Sequence, residues 1–99
     1  MKVVRDKIER NIMLTENLIL HGMIVGNVSI SEDVEFFLHG TVIGNLTINK
    51  KSIVHLHGTV NGDVVNVGGT LKVYGMINGR LFREKGNTFI DEKAHINDL

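Results

Sequence analysis

The stretch from Leu18 to Ile48 decides the fold, because it contains nearly the same phrase twice in succession. The phrase reads LILHGMIVGNVSI from Leu18 and FFLHGTVIGNLTI from Phe36. It returns as VHLHGTVNGDVVN from Val54 and, less closely, as LKVYGMINGRLFR from Leu71. Self-similarity at a short fixed period predicts a solenoid, in which each coil buries its apolar residues only when a neighbouring coil stacks on it.

Glycines mark the repeat at two positions, with successive spacings of 18, 18 and 17 residues. They form two sets: Gly22, Gly40, Gly58 and Gly75, and then Gly26, Gly44, Gly62 and Gly79. Glycine lets the backbone bend sharply and removes a side chain from a crowded corner. We therefore expect each pair to bracket a bend in the coil.

Between the glycines the apolar residues alternate, which is the period of a β-strand with one buried face. In the second copy Phe36, Leu38 and Val42 share the inward parity. Inward positions one repeat apart should stack on residues of the same kind, in ladders that begin Leu20, Leu38, Leu56; Ile24, Val42, Val60; and Val28, Leu46, Val64. Aliphatic ladders suit a fully buried pleated interior, so the sequence predicts an all-β, single-stranded β-helix of about four coils.

Composition limits the classes of function. The 99 residues suit one domain, and 11 basic residues balance 11 acidic ones, so there is no electrostatic case for nucleic acid. The chain contains no cysteine, which removes disulfides and Cys metal sites and favours a cytoplasmic location. The charged opening, MKVVRDKIERNIM, has no apolar run, so we expect neither a signal peptide nor contact with a membrane.

The chain divides into a segment over residues 1–17 and a β-helix domain over residues 18–99. Val4, Ile8 and Ile12 recur every four residues, which suits a short helix or an irregular cap lying on the first coil. A strand is the alternative, because Ile12 lies one period before Ile30.

At the other end the repeat resumes in part. Ile90, Ala94 and Ile96 each follow an inward or glycine position by 17 residues, and the pattern then stops in mid-coil. Backbone groups of a final coil must find water, a cap or another chain. We therefore expect association through the ends of the β-helix, with two C-terminal faces meeting. A closed dimer follows if Val4, Ile8 and Ile12 cap the first coil, and a filament follows if that end is open.

The unit G-x-[V/I]-x-G-[N/D]-[V/L], present from Gly22, Gly40 and Gly58 and returning with Arg80 in its polar slot, resembles the repeat of bactofilins, the bacterial polymer-forming cytoskeletal proteins. The phrase IDEKAHI from Ile90 is also similar to that family. The resemblance implies a right-handed, three-sided β-helix that polymerises end to end without nucleotide, and in some members an N-terminal membrane attachment.

A left-handed hexapeptide helix, the architecture of one class of acyltransferases, is the alternative fold. Ile24, Ile30 and Phe36 do recur every six residues. The strict alternation at Leu20 and Leu38 favours the first interpretation, because a six-residue period does not require it.

Histidines supply the most reactive side chains of the repeat. His21, His39 and His57 share one outward column that Tyr74 continues. Neutral imidazoles are common zinc ligands, but a repeat copies whatever it contains, and no nucleophile or pocket accompanies them. We expect no metal, no cofactor and no catalysis at this column.

A group of outward apolar residues predicts a lateral interface instead. Ile19 precedes Phe37 and then His55 in one outward column, and Val25 precedes Ile43 in another, with Met23 nearby. A contiguous exposed apolar patch is typical of an interaction surface. Two functions follow: a non-enzymatic, self-assembling structural protein, or a small protein-binding module, such as a toxin-neutralising immunity protein, that acts through this patch.

Overall fold

The computed structural model describes residues 1–97, and these residues form β-strands and turns, with no helix among them. Seventeen short strands follow one another around a three-sided coil, and strands from successive coils pair in parallel. This β-solenoid confirms the predicted fold class. It has six coils rather than about four, because both ends contribute coils that lack the clear repeat. The last two residues of the domain predicted over 18–99 lie outside the described part.

Every third strand belongs to the same sheet. The first sheet contains β1 (Lys2–Val4), β4 (Leu18–Leu20), β7 (Glu35–Leu38), β10 (Ile53–Leu56), β13 (Thr70–Val73) and β16 (Asn87–Ile90). The second sheet contains β2 (Lys7–Ile8), β5 (Met23–Val25), β8 (Thr41–Ile43), β11 (Thr59–Val60), β14 (Met76–Ile77) and β17 (His95–Ile96). The third sheet contains β3 (Ile12–Leu14), β6 (Val28–Ile30), β9 (Leu46–Ile48), β12 (Val64–Asn66) and β15 (Leu81–Arg83).

Inward side chains stack in columns, and three of these columns begin in the first coil and continue to the fifth or sixth. The columns are Val4, Leu20, Leu38, Leu56, Val73 and Ile90 in the first sheet; Ile8, Ile24, Val42, Val60, Ile77 and Ile96 in the second; and Ile12, Val28, Leu46, Val64 and Leu81 in the third. Their central members are fully buried. The ladders expected from the sequence are confirmed. Together with the buried residues stacked beside them, such as Leu18, Phe36 and Val54, they form the hydrophobic core.

Glycines occupy the two short corners because there is no room for a side chain. A Cβ on Gly40 would overlap the carbonyl oxygen of Gly22, and a Cβ on Gly58 would overlap that of Gly40. In each case the obstructing atom belongs to the preceding coil. The missing side chain therefore always points toward the N-terminal end of the solenoid.

A ladder of side-chain hydrogen bonds runs along the corner between the second and third sheets. The Oδ1 atom of Asn27 accepts the backbone N–H of Asn45 at 3.0 Å, and that of Asn45 accepts the N–H of Asp63 at 2.9 Å. Asn11 begins the ladder beneath Asn27, and Arg80 ends it above Asp63. The polar slot of the repeat thus satisfies a backbone donor at each bend, a role that the spacing alone does not reveal.

The first seventeen residues correct one expectation. They do not form a helix lying on the first coil, because β1, β2 and β3 are themselves a coil paired with the next. Ile12 pairs with Val28 rather than with Ile30, because each strand of this coil lies 16 residues, not 18, before its partner in the next coil. Its corners carry Asp6 and Arg10 where later coils carry glycine, so the repeat is hard to recognise there.

The register of the last coil differs from the expected one in its second half. Ile96, not Ala94, pairs with Ile77. The corner before it holds four residues, 91–94, whereas the preceding coil uses Tyr74 and Gly75. The longer corner is a turn in which a carboxylate oxygen of Asp91 accepts the backbone N–H of Lys93 at 3.0 Å. These two additional residues shift Ile96 into the interior column.

Candidate interaction surfaces at the ends and on the side of the solenoid

The N-terminal end exposes the beginning of all three interior columns. Val4, Ile8 and Ile12 are each half-buried, although their equivalents in the next coil are fully or almost fully buried. Strands β1, β2 and β3 pair on one side, and no strand of residues 1–97 pairs with their other edge. The structure therefore brings these three predicted residues together on one face.

The other termini of the columns lie at the C-terminal end, where those of the first and third columns are partly exposed and that of the second is buried. Ile90 and Ala94 are half-buried, Ile96 is 7% exposed, and Leu81 ends the third column. Leu81 was not among the residues predicted for this end, although the inward ladder through Leu46 and Val64 reaches it. Among the described residues the third sheet has five strands where the other two have six.

Aromatic side chains surround the C-terminal end. Phe89 on the outer side of β16 is 51% exposed, and Phe82 on β15 is 40% exposed. The Phe89 ring lies 5.9 Å from that of Tyr74, at an interplanar angle of 53°. Exposed phenylalanines beside a strand edge that no strand of residues 1–97 pairs with form an apolar rim of the type that protein interfaces cover.

The predicted lateral patch is divided between two sheets. Ile19, Phe37 and His55 stack in one outward column of the first sheet. The other predicted members, Met23, Val25 and Ile43, lie on the outer face of the second sheet. The histidine-bearing corner separates the two groups, so they do not form a single continuous patch.

Two side chains of the first-sheet group are held by contacts with their neighbours. The rings of Phe37 and His55 stack with centroids 4.1 Å apart and an interplanar angle of 4°. Nε2 of His55 lies 2.8 Å from a carboxylate oxygen of Glu35, which holds the imidazole against the sheet. This contact joins residues 20 positions apart in the chain, and the repeat pattern gave no sign of it.

The histidine column exists as predicted, but its geometry does not suit a shared metal. The rings of His21, His39 and His57 stack almost flat, with centroids 5.2 and 4.9 Å apart. Two ligand nitrogens on one zinc ion lie about 3.4 Å apart, since each Zn–N bond is about 2.0–2.1 Å. Stacked rings hold their nitrogens in parallel planes that are farther apart. No group of three His, Asp or Glu side chains within residues 1–97 is placed to hold a metal ion.

Stacking has an electrostatic consequence for His57, the last histidine of the column. Burial lowers the pKa of His57 below its usual value, and the neighbouring His39 and His55 lower it further. Both causes disfavour the imidazolium form, because a charge in this column loses water and meets other imidazoles.

A groove of about 880 Å³ runs along the corner between the third and first sheets. It arises where this corner shortens from four residues, 49–52, to three, 67–69. Its walls carry charges of both signs, including Glu32, Lys50, Glu84 and Lys85. This mixture selects no class of ligand, and the predicted interface residues lie elsewhere.

The same short corner is shaped from inside by Asn66, which is fully buried. Its Oδ1 accepts the backbone N–H of Gly69 at 2.9 Å, and its Nδ2 donates to the carbonyl oxygen of Asn87 at 3.1 Å. A polar residue is tolerated in the interior because its hydrogen bonds are satisfied.

Comparison of the chain with protein-family models, with curated proteins and with solved structures found no match. The resemblance to bactofilins therefore rests on the repeat motif alone. None of the elements in residues 1–97 is a helix of the length and apolarity needed to cross a membrane.

Proposed function

We propose that this protein is a non-enzymatic, self-assembling structural protein, of the bactofilin type, whose molecules associate through the ends of the β-solenoid. One observation carries the proposal: the ends of the described solenoid combine exposed apolar column termini with unpaired strand edges. Such an edge is a template for pairing with another chain.

The C-terminal face shows what association would gain. Ile90, Ala94 and Leu81 are half-buried there, and a second column end would complete their burial. Fully burying an aliphatic side chain contributes about 1.5–3 kcal/mol, so the remaining fraction is on the order of 1 kcal/mol for each of the larger ones. Pairing the free edges adds about 0.5–1.5 kcal/mol for each backbone hydrogen bond. Association costs about 4–15 kcal/mol, so we expect assembly that depends on protein concentration.

Sedimentation velocity over a range of concentrations, with negative-stain electron microscopy, tests the proposal. We expect wild-type protein to exceed the monomer mass, and Ile96→Lys to remain monomeric, because a lysine ammonium would be buried at the junction. Ile53→Lys is the matched control: it makes the same change on an outer face in the middle of the solenoid, where Ile53 is already exposed. A wild type that stays monomeric at high concentration contradicts the proposal.

A possible fold defect in Ile96→Lys is controlled by a second variant. Phe89 is half-exposed and outside the core, so Phe89→Asp changes the rim without entering an interior column. Phe89→Asp should give the circular dichroism spectrum of the wild type. Ile96→Lys places a charge at a position that is already buried in the monomer, so its result bears on assembly only if its spectrum also matches the wild type. Loss of assembly in Phe89→Asp, with its fold intact, supports an interface at this end.

The second candidate function is a protein-binding module that uses the first-sheet face. The observation that favours it is the Phe37–His55 stack, which Glu35 holds in place before any partner arrives. Preorganised aromatic side chains make effective interface anchors. If the protein associates through the first-sheet face, Phe37→Asp should abolish the oligomers and Ile96→Lys should retain them. If it associates through its ends, Ile96→Lys should abolish the oligomers and Phe37→Asp should retain them.

A further inference from the structure

The column of His21, His39 and His57 has a chemistry that neither candidate function uses. The three side chains are exposed, and their rings stack with centroids 5.2 and 4.9 Å apart. Tyr74 covers the last imidazole at 4.7 Å, with an interplanar angle of 7°. Because neighbouring rings cover each other's faces, the surface that these histidines present to solvent is formed by ring edges, which carry the nitrogen atoms.

The ring nitrogens of the column are available to a ligand. Among the hydrogen bonds within residues 1–97, none engages the side chain of His21, His39 or His57, whereas His55 in the adjoining outward column is bonded to Glu35. A protonated imidazole donates through both of its nitrogens. Below the pKa of its members, the column is therefore a line of cationic donors that recur once per coil.

The first coil extends the column with a permanent charge. Arg5 stands one coil beneath His21, because the residues that precede them, Val4 and Leu20, pair with each other. A guanidinium remains protonated whether or not the imidazoles are. Asp6 follows Arg5 in the same corner, so this end of the column has one cation with a carboxylate next to it in the chain.

The columns on either side contribute cations and neutral groups. Their outward members are Val3, Ile19, Phe37, His55, Lys72 and Phe89 in the first sheet, and Lys7, Met23, Thr41, Thr59, Met76 and His95 in the second. The nearest carboxylates already have other neighbours. Glu35 is bonded to His55, Glu9 lies 3.7 Å from the ammonium of Lys7, and Asp91 stands one coil above Tyr74. Within residues 1–97, no acidic residue lies beside the histidines in the column or in these two neighbouring columns.

We propose that the histidine column binds a linear anion carrying several phosphate groups, such as a short inorganic polyphosphate chain, and that binding requires protonation of the column. The ligand is linear because the site is one side chain wide and follows the solenoid axis. It carries several charges because a cationic group recurs at each coil. Imidazolium and guanidinium donors form charge-assisted hydrogen bonds with phosphate oxygens. The site lies on the side of the solenoid and does not depend on association through the ends.

Protonation of the column and binding of the anion favour each other. Imidazolium ions at the observed spacing repel one another, and the lowered pKa of His57 has this repulsion among its causes, after burial. A bound anion offsets the repulsion, so it raises the pKa of the imidazoles and takes up protons as it binds. The affinity therefore increases as the pH falls through the histidine range.

Isothermal titration calorimetry with sodium tripolyphosphate, at low salt and at about pH 5.5 and about pH 8, measures this dependence. We expect binding at the lower pH and none at the higher, with circular dichroism verifying the fold at both. Orthophosphate should bind at least about tenfold more weakly, because it reaches fewer members of the column. In an NMR titration the anion should raise the pKa of His21, His39 and His57 and leave that of His95 unchanged.

Substitutions at the middle of the column separate it from other cations on the surface. His39→Asn interrupts the line of donors and should abolish binding. His95→Asn is the matched control, because His95 is an exposed histidine that lies outside the column, and it should bind like the wild type. His39→Arg copies Arg5 of the first coil and should bind tripolyphosphate at the higher pH as well, where the wild type does not.

Four results would overturn the proposal. The first is a folded wild type that does not bind tripolyphosphate at the lower pH. The second is an affinity that is equal at both pH values or retained in His39→Asn, since the anion would then bind elsewhere. The third is orthophosphate that binds as tightly as tripolyphosphate, which would indicate a single imidazolium. The fourth is failure of His39→Arg to bind at the higher pH, a test that does not require the fold to withstand acid. End association is judged separately, by sedimentation.

Discussion

Asp6 lies directly beneath Gly22 in the first corner of the solenoid, and its carbonyl oxygen occupies the place that a Cβ on Gly22 would need. Gly22 stands in the same relation to Gly40, and Gly40 to Gly58. The requirement for glycine therefore begins at the second coil and acts in one direction along the axis. The first coil is free of it, and this gives the two ends of a repetitive molecule different properties.

Removing the first-coil side chains should make the N-terminal end competent for stacking. In the double variant Asp6→Gly/Arg10→Gly, we expect species longer than the dimer, because the corners would then resemble those of the inner coils. Sedimentation velocity measures the change. Glycine costs roughly 0.5–1 kcal/mol per site in backbone entropy, so the melting temperature should fall slightly. A size distribution identical to that of wild type would mean that the corner side chains are not what limits assembly.

A side chain introduced at an inner corner should destabilise the fold. Gly58→Ala places a Cβ against the carbonyl oxygen of Gly40, and relieving that overlap requires the backbone of two coils to move. We expect a loss of about 1–3 kcal/mol in the free energy of unfolding, typical of overpacking. Gly68→Ala is the control, because its nearest neighbour is a side-chain atom, Cβ of Lys50, at 3.0 Å. Equal losses in the two variants, measured by urea denaturation, would contradict this explanation.

The hydrogen-bond ladder predicts a specific difference between two substitutions at one site. Asn45→Ala removes the acceptor for the backbone N–H of Asp63, and we expect a loss of about 0.5–1.5 kcal/mol in the free energy of unfolding. Asn45→Asp keeps an oxygen at that place, as Asp63 itself does one coil later, and should retain most of the stability. If both variants lose the same stability, the ladder is not the reason for the polar slot.

Much of this architecture could be predicted from the sequence, and the reason is the stacking itself. Each inward residue contacts its equivalent one coil away, so ladders such as Leu20, Leu38 and Leu56 are visible as a period. The end coils were recognised only in part because they lack neighbours on one side. Asp6 replaces glycine without penalty at the first corner, and spacing every four residues at Val4, Ile8 and Ile12 resembles a helix.

Interactions between side chains of different kinds were not predictable. The contact of His55 with Glu35 joins two columns that the repeat treats separately. The predicted register of the last coil was wrong because its corner around Asp91 is two residues longer than the equivalent corner of the preceding coil. The lateral patch was predicted as one surface because the alternation of the sequence shows which residues point outward. It does not show on which of the three sheets each residue lies.

The histidine column should make stability depend on pH. The pKa of His57 is lowered in the folded chain, mainly by burial and then by His39 and His55, so the unfolded chain binds the proton more readily. Stability is therefore greatest above the unfolded pKa of about 6.5 and is lost as pH falls through the lowered folded value. His57→Tyr, which copies Tyr74 of the next coil, should reduce that loss. Melting temperatures of both proteins, measured from about pH 8 to about pH 5, cover both sides of the ordinary histidine pKa of about 6.5 and give the difference. Identical pH profiles for the two proteins would show that His57 is not responsible.

The most direct test of end association is hydrogen exchange at low and high protein concentration. Backbone amides in the unpaired edge of β16 exchange readily in a monomer and become protected when a second strand pairs with them. The account predicts that raising the concentration increases protection within Asn87–Ile90 and leaves Lys2–Val4 unchanged. Equal gains in both segments, or protection that does not respond to concentration in either, would contradict association through the C-terminal faces.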